Sequence, residues 1–98
     1  MNKREIYEEK ARAKLHELNA RIDLFQAKLE QGQVEARQDV HKQVDELSRK
    51  RENLKMRIQL AQTAGEEAWE DVSEGLEDAL DDVQHALDKA GKKIKMAL

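Results

Sequence analysis

Apolar residues recur in steps of three and four along most of the chain, and no proline interrupts them. From Ala11 the stripe runs through Leu15, Leu18, Ile22, Phe25 and Leu29. Beyond Gly32 it resumes through Val40, Val44, Leu47, Arg51, Leu54, Ile58 and Ala61. A further run reads Trp69, Val72, Leu76, Leu80, Val83, Leu87, Ala90 and Ile94. This spacing places a narrow apolar seam along one side of a helix, the pattern of coiled coils and helix bundles. With 40% charged and 39% apolar residues over 98 positions, the chain suits such a seam and cannot fill a thick globular core. The expectation is all-α, with residues 1–98 forming a single helical coiled-coil domain.

Two places compete as chain reversals. At the start, Asn2 with Glu5 three residues on offers a capping box. Gly32 weakens a helix by about 1 kcal/mol relative to Ala. No Ser, Thr, Asp or Asn follows it closely to cap a new helix, and the seam resumes almost in phase. Thr63-Ala64-Gly65-Glu66 presents a second capping box, followed by the acidic residues Glu66, Glu67, Glu70 and Asp71, which suit a helix N-terminus. Lys89, Lys92, Lys93 and Lys95 load the far end, where positive charge suits the C-terminus. These signals predict an elongated antiparallel hairpin, with a long helix over about 2–62 and a second over about 66–96. The alternative is a three-helix bundle with an extra turn at Gly32. Helix rise separates the cases: about 145 Å for a straight rod, about 90 Å for the hairpin and about 50 Å for the bundle.

Charge is unevenly distributed. Residues 1–65 hold 14 Lys and Arg against 11 Asp and Glu, whereas residues 66–98 hold 4 against 10. A hairpin turning near residue 64 brings the basic block Arg49, Lys50, Arg51, Lys55 and Arg57 opposite Asp71, Glu74, Glu77 and Asp78. The apolar set expected to pack the hairpin is Val40, Val44, Leu47, Leu54, Ile58, Trp69, Val72, Leu76, Leu80, Val83, Leu87 and Ile94. Exposed ion pairs contribute only about 0–1 kcal/mol each, so the apolar seam stabilises and the charges select the register. Arg51, at a seam position, either sets register or reaches outward toward Glu77. In the hairpin reading the N-terminal seam of Leu15, Leu18, Ile22, Phe25 and Leu29 remains uncovered, which predicts a homo-oligomer, dimer or higher, through this segment.

The runs Leu15–Lys28 (LHELNARIDLFQAK) and Ala64–Leu80 (AGEEAWEDVSEGLEDAL) resemble a group of small bacterial coiled-coil proteins linked to stress response and of unknown mechanism. Asn-Ala-x-Ile-Asp at 19–23 and Glu-Ala-Trp-Glu at 67–70 carry most of the likeness. Leu18 stands where the group usually has an aromatic residue, and Gly32 interrupts a usually Ala-rich stretch. The resemblance implies a bacterial cytosolic protein and a stress context, and it supplies no catalytic residue.

Chemistry-bearing constellations are sparse in the sequence itself. There is no cysteine, hence no disulfide and no thiolate metal site. His16, His41 and His85 lack His-x-x-x-His or Glu-x-x-His spacing, so surface histidines are expected rather than a metal site. No Gly-rich phosphate loop, HExxH or Ser/His/Asp set occurs, and the paired carboxylates lack a pocket to perturb them. No catalytic, cofactor-binding or metal-binding residue is therefore expected, nor an enzyme. Trp69 is expected to pack near the turn. The Arg49–Arg57 cluster is the one basic patch, and the acidic helix opposite it argues against nucleic acid. The first ten residues lack the apolar run of a signal peptide, and no span of about 18 apolar residues occurs, so a cytoplasmic location is the default expectation. The leading functional expectation is a structural or interaction protein using its helix faces to meet protein partners. A peripheral membrane-surface or holdase-like role for its amphipathic helices is the competing one.

Overall fold

α1 stops where glycine allows the backbone to turn left-handed. In the computed structural model, which describes residues 3–33 and 38–96, Gly32 has φ of 71°. The Gln33 amide donates to the Lys28 carbonyl at 2.9 Å, and the Gly32 amide donates to Leu29 at 3.2 Å. That pair of backward bonds is the Schellman motif, which satisfies helix-end carbonyls and needs a residue without a Cβ penalty at its left-handed position. The helices are α1 (Lys3–Glu30), α2 (Gln38–Thr63) and α3 (Trp69–Met96), with no strand among the described residues. The expected continuous helix over 2–62 is thus two helices, and the expected two-helix hairpin is a three-helix arrangement. Gly32 supplies its own stop signal, so the turn requires no capping residue just beyond it. Asn2, the proposed cap of the first helix, lies outside the described residues.

The second reversal is where the sequence places it, but it is built differently. Thr63 does not cap α3: its hydroxyl donates back to the carbonyls of Gln59 at 3.2 Å and Leu60 at 3.4 Å, so it belongs to the last turn of α2. A tight turn follows, with the amides of Ala68 and Trp69 donating to Gly65 and Glu66. α3 therefore begins at Trp69, three residues later than expected, and the Ala68 carbonyl accepts from Val72 at 3.0 Å.

Side-chain partners fix the helix directions. Tyr7 meets Glu77 and Lys14 meets Gln84, both 70 residues apart, so α1 and α3 run parallel. Lys50 meets Asp82 while the earlier Glu46 meets the later Lys89, so α2 and α3 run antiparallel. The bundle measures 49 × 20 × 17 Å, the length expected for three arms.

One core runs through all three helices. α1 contributes Ala11, Leu18, Ile22 and Phe25; α2 contributes Val40, Val44, Leu47, Leu54, Ile58 and Ala61; α3 contributes Leu76, Ala79, Val83, Ala86, Leu87, Ala90 and Ile94. Tyr7, Leu15, Leu29, Trp69, Val72 and Leu80 pack against it while remaining partly exposed. The residues read as an uncovered oligomer seam are therefore inside this chain's own bundle: Leu18, Ile22 and Phe25 are buried, and Leu15 and Leu29 border them. An exposed seam for self-association requires α1 to project beyond a hairpin, and here α1 folds back onto α2 and α3.

Candidate interaction surface

Among the described residues the features that stand out lie along the α1–α3 seam. At one end Arg4 bridges two elements. Its Nη2 donates to the Ala61 carbonyl at 2.7 Å and to the Ala64 carbonyl at 2.6 Å, satisfying acceptors that the end of α2 leaves free. The same guanidinium lies 4.8 Å from the ring centroid of Trp69, a cation–π distance. Tyr7, one turn further on, meets Trp69 edge to face with centroids 6.2 Å apart. Its hydroxyl donates to Glu77 Oε1 at 2.6 Å. That bond, and then the negative charge of Glu77, hold the Tyr7 phenol above its ordinary pKa of 10.0. Together these contacts pin the start of α1 across the α2–α3 turn.

Beside this latch a surface groove of about 430 Å³ runs between α1 and α3, lined by Tyr7, Lys10, Lys14, Glu77, Asp78, Leu80, Asp81 and Gln84. Its floor is the partly buried Tyr7 and Leu80. Lys14 stands on the α1 bank, donating to Gln84 at 2.7 Å and paired with Glu17 at 3.0 Å. The α3 bank is carboxylate. It continues the outer face of α3, where Glu70, Asp71, Glu74, Asp78 and Asp81 are exposed and form no ion pair among the described residues. The helix dipole favours Glu70 and Asp71 in its first turn and Lys93 and Lys95 in its last, so α3 carries its charges in the order its dipole prefers.

Among the described residues, none of the expected basic residues of α2 pairs with Asp71, Glu74, Glu77 or Asp78 of α3. Lys50 pairs at 3.2 Å with Asp82, a residue outside the expected set, and Lys89 approaches Glu46 at 3.7 Å. Arg51 turns to Glu52 on its own helix at 3.4 Å, not to Glu77, which is engaged by Tyr7. Arg49 and Lys55 are exposed and form no ion pair among the described residues. Arg57 is half-buried and lies over Gly75, where an added Cβ would sit 2.9 Å from Nη1; its Nε is buried without a hydrogen-bond partner. Asp71, Glu74 and Asp78 are consequently unmatched. The physical cause is the weakness of exposed pairs: burial of Leu76, Val83 and Leu87 sets the rotation of α3, and that rotation points the carboxylates outward.

Of the expected hairpin-packing residues, Val40, Val44, Leu47, Leu54, Ile58, Leu76, Val83, Leu87 and Ile94 are buried, while Trp69, Val72 and Leu80 are partly so. His16, His41 and His85 are exposed, and no group of three or more His, Asp or Glu among the described residues is arranged to hold a metal ion. No described helix is long and apolar enough to cross a membrane. Arg4, Tyr7, Lys14, Asp82 and Gln84 carry no local motif. Their roles arise from the parallel offset of α1 against α3 and the antiparallel register of α2 against α3, which are tertiary facts. Comparison with protein-family models, with curated proteins and with solved structures returns no match.

Proposed function

We propose that this protein is a non-enzymatic docking module that receives a basic amphipathic segment of a protein partner along the α1–α3 groove. The observation that carries this reading is the pairing of an apolar floor, Tyr7 and Leu80, with an unmatched carboxylate bank, Asp78 and Asp81, in one open groove. An amphipathic helix laid there buries its apolar stripe on the floor, and its Lys or Arg flank meets the bank of α3. Lys10 and Lys14 on the opposite side fix the orientation, because a basic flank facing them is repelled. Complementary charge of this kind contributes chiefly to association rate and partner choice.

The reading is tested with a synthetic Lys/Leu amphipathic helix, titrated into isotope-labelled protein by NMR. Shifts should concentrate on residues 77–84 and on Tyr7, and should weaken as salt is raised. Charge reversal at the bank, Asp78→Lys with Asp81→Lys, should reduce affinity about tenfold or more, consistent with two lost exposed pairs and two new repulsions. Reversal at Glu9, an exposed residue of α1 outside the groove, should have little effect. Equal losses in both variants, or shifts spread evenly over the surface, would show only non-specific charge attraction and contradict the proposal.

A further inference from the structure

Ile22 and Val40 are 18 residues apart, as are Leu29 and Leu47. Eighteen residues are five whole turns of α-helix. Ile22, Val40 and Leu47 are buried, and Leu29 packs against the same core. The core stripes of α1 and α2 would therefore share one face if the two helices were joined into a single straight one. A chain that only reverses at Gly32 has no need of that phase, because a turn resets the direction in which each helix faces. Gly32 is the only described residue with positive φ, and nothing lies within 4 Å of where its Cβ would be. From Gln33 to Arg37 the sequence holds no Gly, Pro, Ser, Thr, Asp or Asn, the residues that stop or cap helices. The contacts of α1, namely the Arg4 and Tyr7 latch, Lys14 on Gln84 and the buried Leu18, Ile22 and Phe25, are made to α2, α3 and the turn between them, which a second copy offers identically.

From this phase relation we infer that two copies of the chain exchange α1. In each copy α1 runs straight on into α2 and docks on the α2–α3 pair of the other, remaking between chains the contacts it makes within one. The occupant is a second copy, and the pairing is two-fold and isologous. The exchanged dimer is about 90 Å long from helix rise over residues 3–63, against 49 Å for the closed bundle. It carries two α1–α3 grooves, each formed by both chains.

Gly32→Ala tests the inference. Alanine is strained in the left-handed turn of the closed form and favours the uninterrupted helix of the exchanged one. Together these effects favour exchange about thirtyfold per chain, or about a thousandfold in the dimerisation constant. Light scattering with in-line small-angle scattering is run on wild type, Gly32→Ala and Gly32→Asn from micromolar to millimolar protein. The expected result is a wild-type monomer that yields a dimer near 90 Å at the highest concentrations. Gly32→Ala should form the same dimer at about a thousandfold lower concentration. Gly32→Asn should stay near wild type, since Asn tolerates the left-handed region. A Gly32→Ala monomer that keeps its helicity, or a dimer no longer than the closed bundle, overturns the inference. If Gly32→Ala loses helicity, insertion of Gly-Ser-Gly-Ser after Gln33 provides the opposite test. The inserted chain should remain a monomer where wild type dimerises. Survival of the long dimer on insertion, or no wild-type dimer even at millimolar concentration, overturns the inference equally.

Discussion

Tyr7 is the only tyrosine, so its ionisation is directly visible in the absorbance of the tyrosinate. In the folded chain the protonated phenol donates to Glu77, and ionisation would set two negative charges against each other, so its pKa is raised above 10.0. A group whose neutral form is favoured on folding contributes stability below its unfolded pKa and loses it as pH rises through the folded value. The Tyr7–Glu77 contribution is thus present at neutral pH and disappears above pH 10. Spectrophotometric titration should place the wild-type midpoint above 10.0 and move it back toward that value in Glu77→Gln. A wild-type midpoint at the ordinary value would mean that the contact is absent in solution. Arg4 makes the second residue-scale case. Removing it as Arg4→Ala frees two carbonyls and the face of Trp69, and should reduce unfolding free energy by about 2 kcal/mol. Trp69, the only tryptophan, should report the change in its fluorescence. Lys3→Ala, on an exposed neighbour, should stay within about 0.5 kcal/mol of wild type.

Within the helices, burial separates residues of the same type. Leu18 and Leu47 are fully buried, whereas Leu60 is 44% exposed. Leu18→Ala and Leu47→Ala should each lower stability by about 2–5 kcal/mol, and Leu60→Ala by about 0.5 kcal/mol or less, as read by denaturant unfolding. Equal effects at Leu18 and Leu60 would mean that α1 is not docked. Gly91 lies inside α3 with nothing within 4 Å of where a Cβ would sit, so Gly91→Ala should raise stability by up to about 1 kcal/mol. The sequence makes the helical elements legible through the three-and-four spacing of Leu18, Ile22 and Phe25 and of Leu76, Val83 and Leu87. It also announces the second turn through Gly65. Gly32 is harder to read because the same glycine suits either a weak point in a continuous helix or a Schellman stop, and the in-phase seam supports the former. Thr63 misleads for a related reason: a hydroxyl can bond forward as a cap or backward to the preceding turn, and here it bonds backward to Gln59.

At the scale of the whole molecule, docking of α1 decides which surfaces remain. It covers Leu18, Ile22 and Phe25, creates the groove beside Leu80, and leaves the carboxylates of α3 facing outward. The acidic block between Glu66 and Asp88 is plain in the sequence, but its partners are not. A match to the basic block of α2 requires that charge select the register, whereas burial of the α3 stripe does so and brings only Lys50 of that block to a carboxylate, Asp82. The Tyr7–Leu80 groove was not legible at all, because it depends on α1 lying parallel to α3 at a 70-residue offset that no local pattern encodes. The arrangement on which these surfaces depend is the docking of α1 on its own α2–α3 pair. It is tested most directly by spin labels at positions 14 and 84, whose side chains are 2.7 Å apart here. Double-labelled chains are diluted with unlabelled ones at low micromolar protein, so that only distances within one chain are read. The bundle predicts a short distance set by the labels themselves. A separation of about 50 Å, expected from helix rise if α1 projected beyond a two-helix hairpin, would contradict it.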